Sequence, residues 1–318
     1  MTSESGASLP SAAPELSHLN PVTANRAMLL YLLFSAGLQL LLGLVFRLSI
    51  GAILVIEGLL LIILLPLMFP GAWRELRQHH RWRTPPDLLT MLGAFGLGFV
   101  ASRAFTVFLQ AVWPGSSQAL QEYNLQFLQG GGVLLVLIGG GLLIPFVEEW
   151  VFRGFGLTGY ERRRSPLMAA LWTSLLFALI HGVPAQVLAV LPLGWVIARA
   201  VQFSGSFWTG VGMHVLNNSL SLGLAALLLS SPVFEQLLQE SASSARVSLA
   251  AGLAALVVAL AALWGAAAWL RVRETRPIER GPLWSASLLV PLAFFVLSAA
   301  VSLSGQRLSQ LIGLLRPQ

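Results

Sequence analysis

The sequence predicts an all-α, polytopic membrane bundle of about nine transmembrane helices, with eight as the alternative count. Three observations carry this. The chain is 56% hydrophobic and only 10% charged, with a mean hydropathy of +0.77, whereas a soluble domain is about one quarter charged. Apolar runs of about twenty residues, the length that crosses a bilayer core, recur along it. All 19 basic residues are Arg, and they gather in short loops between those runs, as the positive-inside rule places them. The formal charge of +6 and the pI of 11.1 therefore report membrane topology, and no nucleic-acid partner is expected. Length alone would suggest two soluble domains; the apolar runs override it. Cysteine is absent, so there is no disulfide framework and no thiolate metal site. With five histidines, any metal site would need His and carboxylate ligands. Arg-only basic usage with much Ala, Leu and Gly fits a GC-rich bacterial genome, and hence a bacterial inner membrane.

The elements follow in order. Residues 1–26 are polar and rich in Ser and Pro. They lack the charged start and apolar stretch of a signal peptide and read as a disordered cytoplasmic tail. Spans one and two cover 27–46 and 48–69. A basic loop, Arg74–Arg83, follows, with His79 and His80 solvated. Span three is 88–113, and a polar loop without basic residues covers 114–129. Span four runs 131–160 and closes on Glu161-Arg162-Arg163-Arg164. Spans five, six and seven are 166–183, 185–201 and 207–229. After a polar loop at 230–247, span eight covers 248–270. The basic loop 271–280 precedes span nine, 284–303, and Gln306–Leu315 is weakly amphipathic. With nine spans, the three basic loops fall on one side, which puts the amino terminus in the cytoplasm.

Chemistry concentrates in span four. Glu148, Glu149 and Arg153 interrupt an apolar segment, and ionisable groups at membrane depth are costly enough to be read as functional. Glu149 and Arg153 are four apart and share a helix face. Glu148 points about 100° away, without that partner. The spacing therefore gives Glu149 and Arg153 to the scaffold and Glu148 to chemistry as a general base. The rival reading is a polar knot that only pins helices.

His181 in span five is the next polar group. Glu148 lies 16 residues before Arg164 and His181 lies 16 residues after Ser165. In an antiparallel hairpin of equal rise the two reach the same depth, where they can share a water. In span seven, His214 and Asn218 are four apart on one face. They can hold an oxyanion, ligate a metal, or form an interhelical clasp. Glu57 and Arg103 either pair or line a cavity. Arg199 and Gln202 read as snorkelling or interfacial. The glycines at 130–132 and 139–141 bring helices close or loosen span four. Trp172 reads as packing.

Together these positions resemble a known family. Glu148-Glu149-x-x-x-Arg153, Phe177-x-x-x-His181 and His214-x-x-x-Asn218 are similar to the signature of the CAAX protease and bacteriocin-processing (CPBP, or Abi) family of intramembrane proteases. The resemblance covers roughly 131–229. It implies an endopeptidase whose first glutamate and first histidine activate water while the second histidine and the asparagine hold the oxyanion. The resulting organisation is a tail (1–26), amino-terminal helices (27–130), catalytic helices (131–229), and carboxy-terminal helices with a short tail (230–318). Expected partners are the bilayer and a peptide or membrane-protein substrate. No cofactor is favoured, because Glu148 does not easily serve as both base and ligand. The alternative is zinc on Glu148, His181 and His214. Two other classes compete: an inactive immunity or scaffold protein of this fold, and a secondary transporter. The latter expects inverted repeats, and none is found by inspection.

Overall fold

Small polar residues stand just ahead of the apolar runs, and they start the helices by accepting hydrogen bonds from otherwise unpaired N–H groups. The computed structural model describes residues 17–113, 115–116, 132–229, 247–272 and 281–300. Asn20 caps α1 (Pro21–Leu40) through the Thr23 N–H, and wider turns continue it to Val45. Ser49 caps α2 (Ile50–Met68). α3 (Pro70–Gln78) and the single turn α4 (His80–Arg83) follow. Asp87 caps α5 (Leu88–Val112). Its carboxyl is held below the usual range by hydrogen bonds from the Thr90 hydroxyl and backbone N–H. Next come α6 (Val133–Glu161) and α7 (Pro166–Leu179), capped by Ser165. α8 (Pro184–Ser204) ends on Gly205, whose φ of +64° is left-handed, a conformation that favours glycine. α9 (Phe207–Leu229), α10 (Leu249–Trp269) and α11 (Ala286–Ala300) complete the described chain. No strand occurs among the described residues.

Each of the nine expected spans meets a helix. Among the described residues, six helices are long and apolar enough to cross a membrane: α1 with its extension, α2, α5, α6, α8 and α10. α7 and α11 are shorter apolar helices. The protein is a multi-pass helical bundle.

Four expectations change. Residues 17–26, expected in the disordered tail, are ordered. Leu19 is fully buried, Ser17 and the Leu19 N–H bond the Glu75 carboxylate, and α1 already begins at Pro21. The basic loop is largely helical: α3 buries Ala72 and Leu76 and turns Arg74, Arg77 and Gln78 outward. Its alternation of apolar and basic residues at helical spacing is an amphipathic pattern. Span five stops at Leu179, so His181 lies on the turn to α8, which Gly182 makes with φ +71°. Arg199 and Gln202 are buried, not interfacial. Arg199 donates to Gln202 Oε1 (2.6 Å) and to the Leu270 carbonyl, while Gln202 donates to Glu161 Oε1, and Arg81 grips both oxygens of the Glu161 carboxylate. The polar loops at 117–129 and 230–246, residues 273–280 of the last basic loop, and Gln306–Leu315 lie outside the described residues.

The organisation that matters for the site is the seating of α6 among its neighbours. α6 packs on α2 and α9, with α1, α7 and α8 around its second half. The glycine run makes this approach close. A Cβ at Gly139 would stand 2.6 Å from Leu54 Cβ, and one at Gly141 would stand 2.9 Å from Ser219 Oγ. Within α6 the turns widen to π geometry over Leu137–Leu143 and again over Trp150–Leu157, with Ile144–Glu149 between them. Such widening is frequent at functional sites. Gly139→Ala is expected to destabilise the bundle by about 1–3 kcal/mol through overpacking. Thermal unfolding in detergent checks this, and an unchanged melting temperature would mean that α2 and α6 can part without loss.

Candidate active site

The site forms where α6, α9 and the turn that follows α7 bring their few polar residues together. Glu149 is fully buried, and its Oε1 accepts from Arg153 Nη1 at 2.8 Å. The pairing expected from their spacing is therefore present, one turn into the widened segment. Arg153 is itself buried and sends Nη2 to the Gly194 carbonyl on α8 at 2.9 Å. Gly194 permits this approach, since a Cβ there would crowd Phe177 at 3.2 Å.

His214 joins the two glutamates. Its Nδ1 lies 2.9 Å from Glu149 Oε1 and its Nε2 lies 3.6 Å from Glu148 Oε2. A carboxylate only accepts, so Nδ1 is the donor to Glu149. That leaves Nε2 as the ring atom facing Glu148, at a separation beyond a direct hydrogen bond. The spacing of span seven gave no hint that His214 would bond Glu149.

Phe177 sits at the centre. Its ring is edge-on to both His181 (5.2 Å between centroids) and His214 (5.3 Å), and the Arg153 guanidinium lies 4.6 Å over its face. One phenylalanine thus spaces the two histidines and screens the buried cation. His181 Nδ1 is 3.1 Å from the Phe177 carbonyl. Since a carbonyl only accepts, Nδ1 carries the proton and Nε2 presents a lone pair. His181 also lies within electrostatic reach of Glu148 and His214.

Asn218 is one turn along α9 from His214. Its amide donates to the Gly140 carbonyl at 3.1 Å, and its oxygen accepts from Asn217. Glu148, Glu149, Arg153, Phe177, His181 and His214 are therefore gathered at one place, and Asn218 stands beside them, anchored to the glycine run of α6.

Tyr31 completes the surroundings of Glu148. Its hydroxyl donates to Glu148 Oε1 at 2.7 Å, from α1 and 117 residues away. The available signal was a tyrosine in the middle of an apolar span, because a buried phenol needs a partner. Tyr31→Phe is expected to lower the turnover of any Glu148-dependent reaction at least tenfold. A hydrogen bond to a charged group is worth about 1.5–3 kcal/mol. Steady-state kinetics with wild-type turnover would show that Tyr31 does not orient the carboxylate.

One of the two readings of Glu57 and Arg103 fails here. Glu57 and Arg103 do not pair: Glu57 is buried and accepts from Gln39 at 3.0 Å, while the Arg103 side chain is exposed beside Phe99. Among the described residues, no three His, Asp or Glu side chains converge closely enough to hold a metal ion. In both site histidines the committed nitrogen is Nδ1, on Glu149 for His214 and on the Phe177 carbonyl for His181, which leaves each Nε2 uncommitted.

Residues 130–220 match the family model described as Rce1-like, "Type II CAAX prenyl endopeptidase Rce1-like". The matched segment contains every signature residue from Glu148 to Asn218, and Tyr31 lies outside it. No curated protein and no solved structure matches the chain.

Proposed function

We propose that this chain, whose residues 130–220 match the Rce1-like CAAX prenyl endopeptidase family model, is an intramembrane endopeptidase that uses a glutamate-activated water. The observation that carries this reading is the placement of Glu148. Its carboxylate is buried, oriented by Tyr31, and faces His214 Nε2. The adjacent Glu149 has its Oε1 shared by Arg153 and His214, while its buried Oε2 has no hydrogen-bond partner among the described residues. One acid is committed to structure and the other is positioned for proton transfer.

In the proposed reaction, a water donates one hydrogen bond to His181 Nε2 and the other to Glu148. Glu148 takes that proton as the water oxygen bonds to the peptide carbonyl carbon. The electron pair of the C=O bond moves to oxygen. The resulting oxyanion is held by donors from α9, the amide of Asn218 and His214 Nε2–H when that nitrogen is protonated. Collapse reforms the carbonyl and breaks the C–N bond, and the leaving amine takes the proton back from Glu148. Glu149 fixes the ring orientation of His214, and Arg153 fixes Glu149. The substrate class is a peptide or membrane protein reached from the bilayer.

The test uses the purified full chain in bilayer nanodiscs, with a farnesylated CAAX peptide and an unprenylated transmembrane peptide as probes. Cleavage of either by the wild type, lost in both Glu148→Gln and His181→Ala, is the expected result. Equal cleavage by wild type and both variants would overturn the assignment. A second reading, an inactive scaffold of the same fold, draws on the Asn218–Gly140 and Ser219–Gly141 bonds that clasp α9 to α6. It predicts that the same variants lose melting temperature rather than activity.

A further inference from the structure

We propose that the cleft between the start of α7 and the end of α10 binds the headgroup of an anionic phospholipid. The cleft has a volume of about 740 Å³ and is lined by Ser165, Leu167, Trp195, Arg199, Ala267 and Arg271, among others. It is separate from the site around Glu148, and the inference does not depend on the reaction proposed above.

Its polar lining is built from donors. Arg199 is buried, and its bonds to Gln202 and the Leu270 carbonyl hold the guanidinium in place. A guanidinium has five N–H groups, so that grip does not exhaust it. Arg271 is exposed at the mouth. Trp195 contributes its ring to the wall. The amino-terminal end of α7 adds its partial positive charge. The neighbouring carboxylate, Glu161, is neutralised by the two bonds from Arg81. The cleft therefore offers two guanidinium groups to an anion.

The rest of the lining says which anion. Pro166, Leu167, Ala267 and Val272 are apolar. The outer faces of the two helices beyond them are apolar and exposed, with Leu167 at 49% and Leu171 at 44% on α7, and Leu260 at 56% and Trp264 at 75% on α10. In a multi-pass bundle these faces meet hydrocarbon. A ligand with a phosphate at one end and an acyl chain at the other fits both halves of the cleft. A free phosphate fits only one.

The experiment is native mass spectrometry of the full chain in mild detergent, titrated separately with phosphatidylglycerol, phosphatidylcholine and inorganic phosphate. Saturable binding of phosphatidylglycerol over the other two is expected. Arg271→Ala should weaken it about fivefold, the factor for one arginine near an anionic lipid, and Arg271→Lys should retain most of it. Leu167→Trp fills the apolar half without touching a charge and should also weaken it. Melting temperatures of the variants show that each is folded. Equal binding of the two lipids would overturn the proposal, as would unchanged phosphatidylglycerol binding in folded Arg271→Ala. Inorganic phosphate binding as tightly as phosphatidylglycerol would make this a soluble-anion site and overturn the lipid assignment.

Discussion

Glu148→Gln is expected to reduce peptide-bond cleavage by about 10²–10⁴-fold, the usual contribution of a positioned general base, while leaving the melting temperature nearly unchanged. The substitution keeps the side chain's shape, and an amide oxygen can still accept the 2.7 Å bond from Tyr31. The facing His214 Nε2, at 3.6 Å, is beyond direct bonding distance, so folding loses little there. What is lost is the ability to take a proton from water. Kinetics and thermal unfolding on the same preparation separate the outcomes. Full turnover in the variant would remove Glu148 from the reaction. A lower melting temperature with no change in function would favour the clasp.

The second large effect concerns stability. Arg153→Met is expected to destabilise the protein by about 3–5 kcal/mol, because it leaves the charge of Glu149 buried and uncompensated. The side chains of both partners are fully buried, and Arg153 also ties α6 to the Gly194 carbonyl on α8 and covers Phe177. Removing both charges together, in Glu149→Gln with Arg153→Met, should recover part of that loss. Activity should not return, because the ring orientation of His214 depends on the Glu149 carboxylate. Chemical unfolding of the single and double variants measures the difference. Wild-type stability in Arg153→Met would show that the pair is not what seats α6.

Much of the site was legible because it rests on short-range rules. Helical spacing pairs Glu149 with Arg153, and it separates Glu148 from both. The apolar runs marked the helices, and Asn20, Ser49, Asp87, Ser165 and Ser248 each stand where the chain enters one. The basic stretch at 74–83 was misjudged because charge was weighed above periodicity, although Ala72 and Leu76 already marked a buried face. Arg199 and Gln202 were misjudged for a similar reason. A polar residue near a helix end is equally consistent with water and with a buried network, until its partners at Glu161 and Leu270 are known.

By itself the sequence determined that this is a multi-pass α-helical bundle, that its ionisable motifs lie in successive apolar segments, and which of two neighbouring acids is paired within its own helix. These follow from hydropathy and from the 3.6-residue turn, both properties of a contiguous segment. Only the tertiary structure decided that Tyr31 orients Glu148, that His214 bridges toward both acids, that Phe177 spaces the two histidines, and that Arg153 anchors on Gly194. Those contacts join residues on different helices. No spacing rule reaches across them, because their geometry is set by how closely the glycine-lined face of α6 lets its neighbours approach.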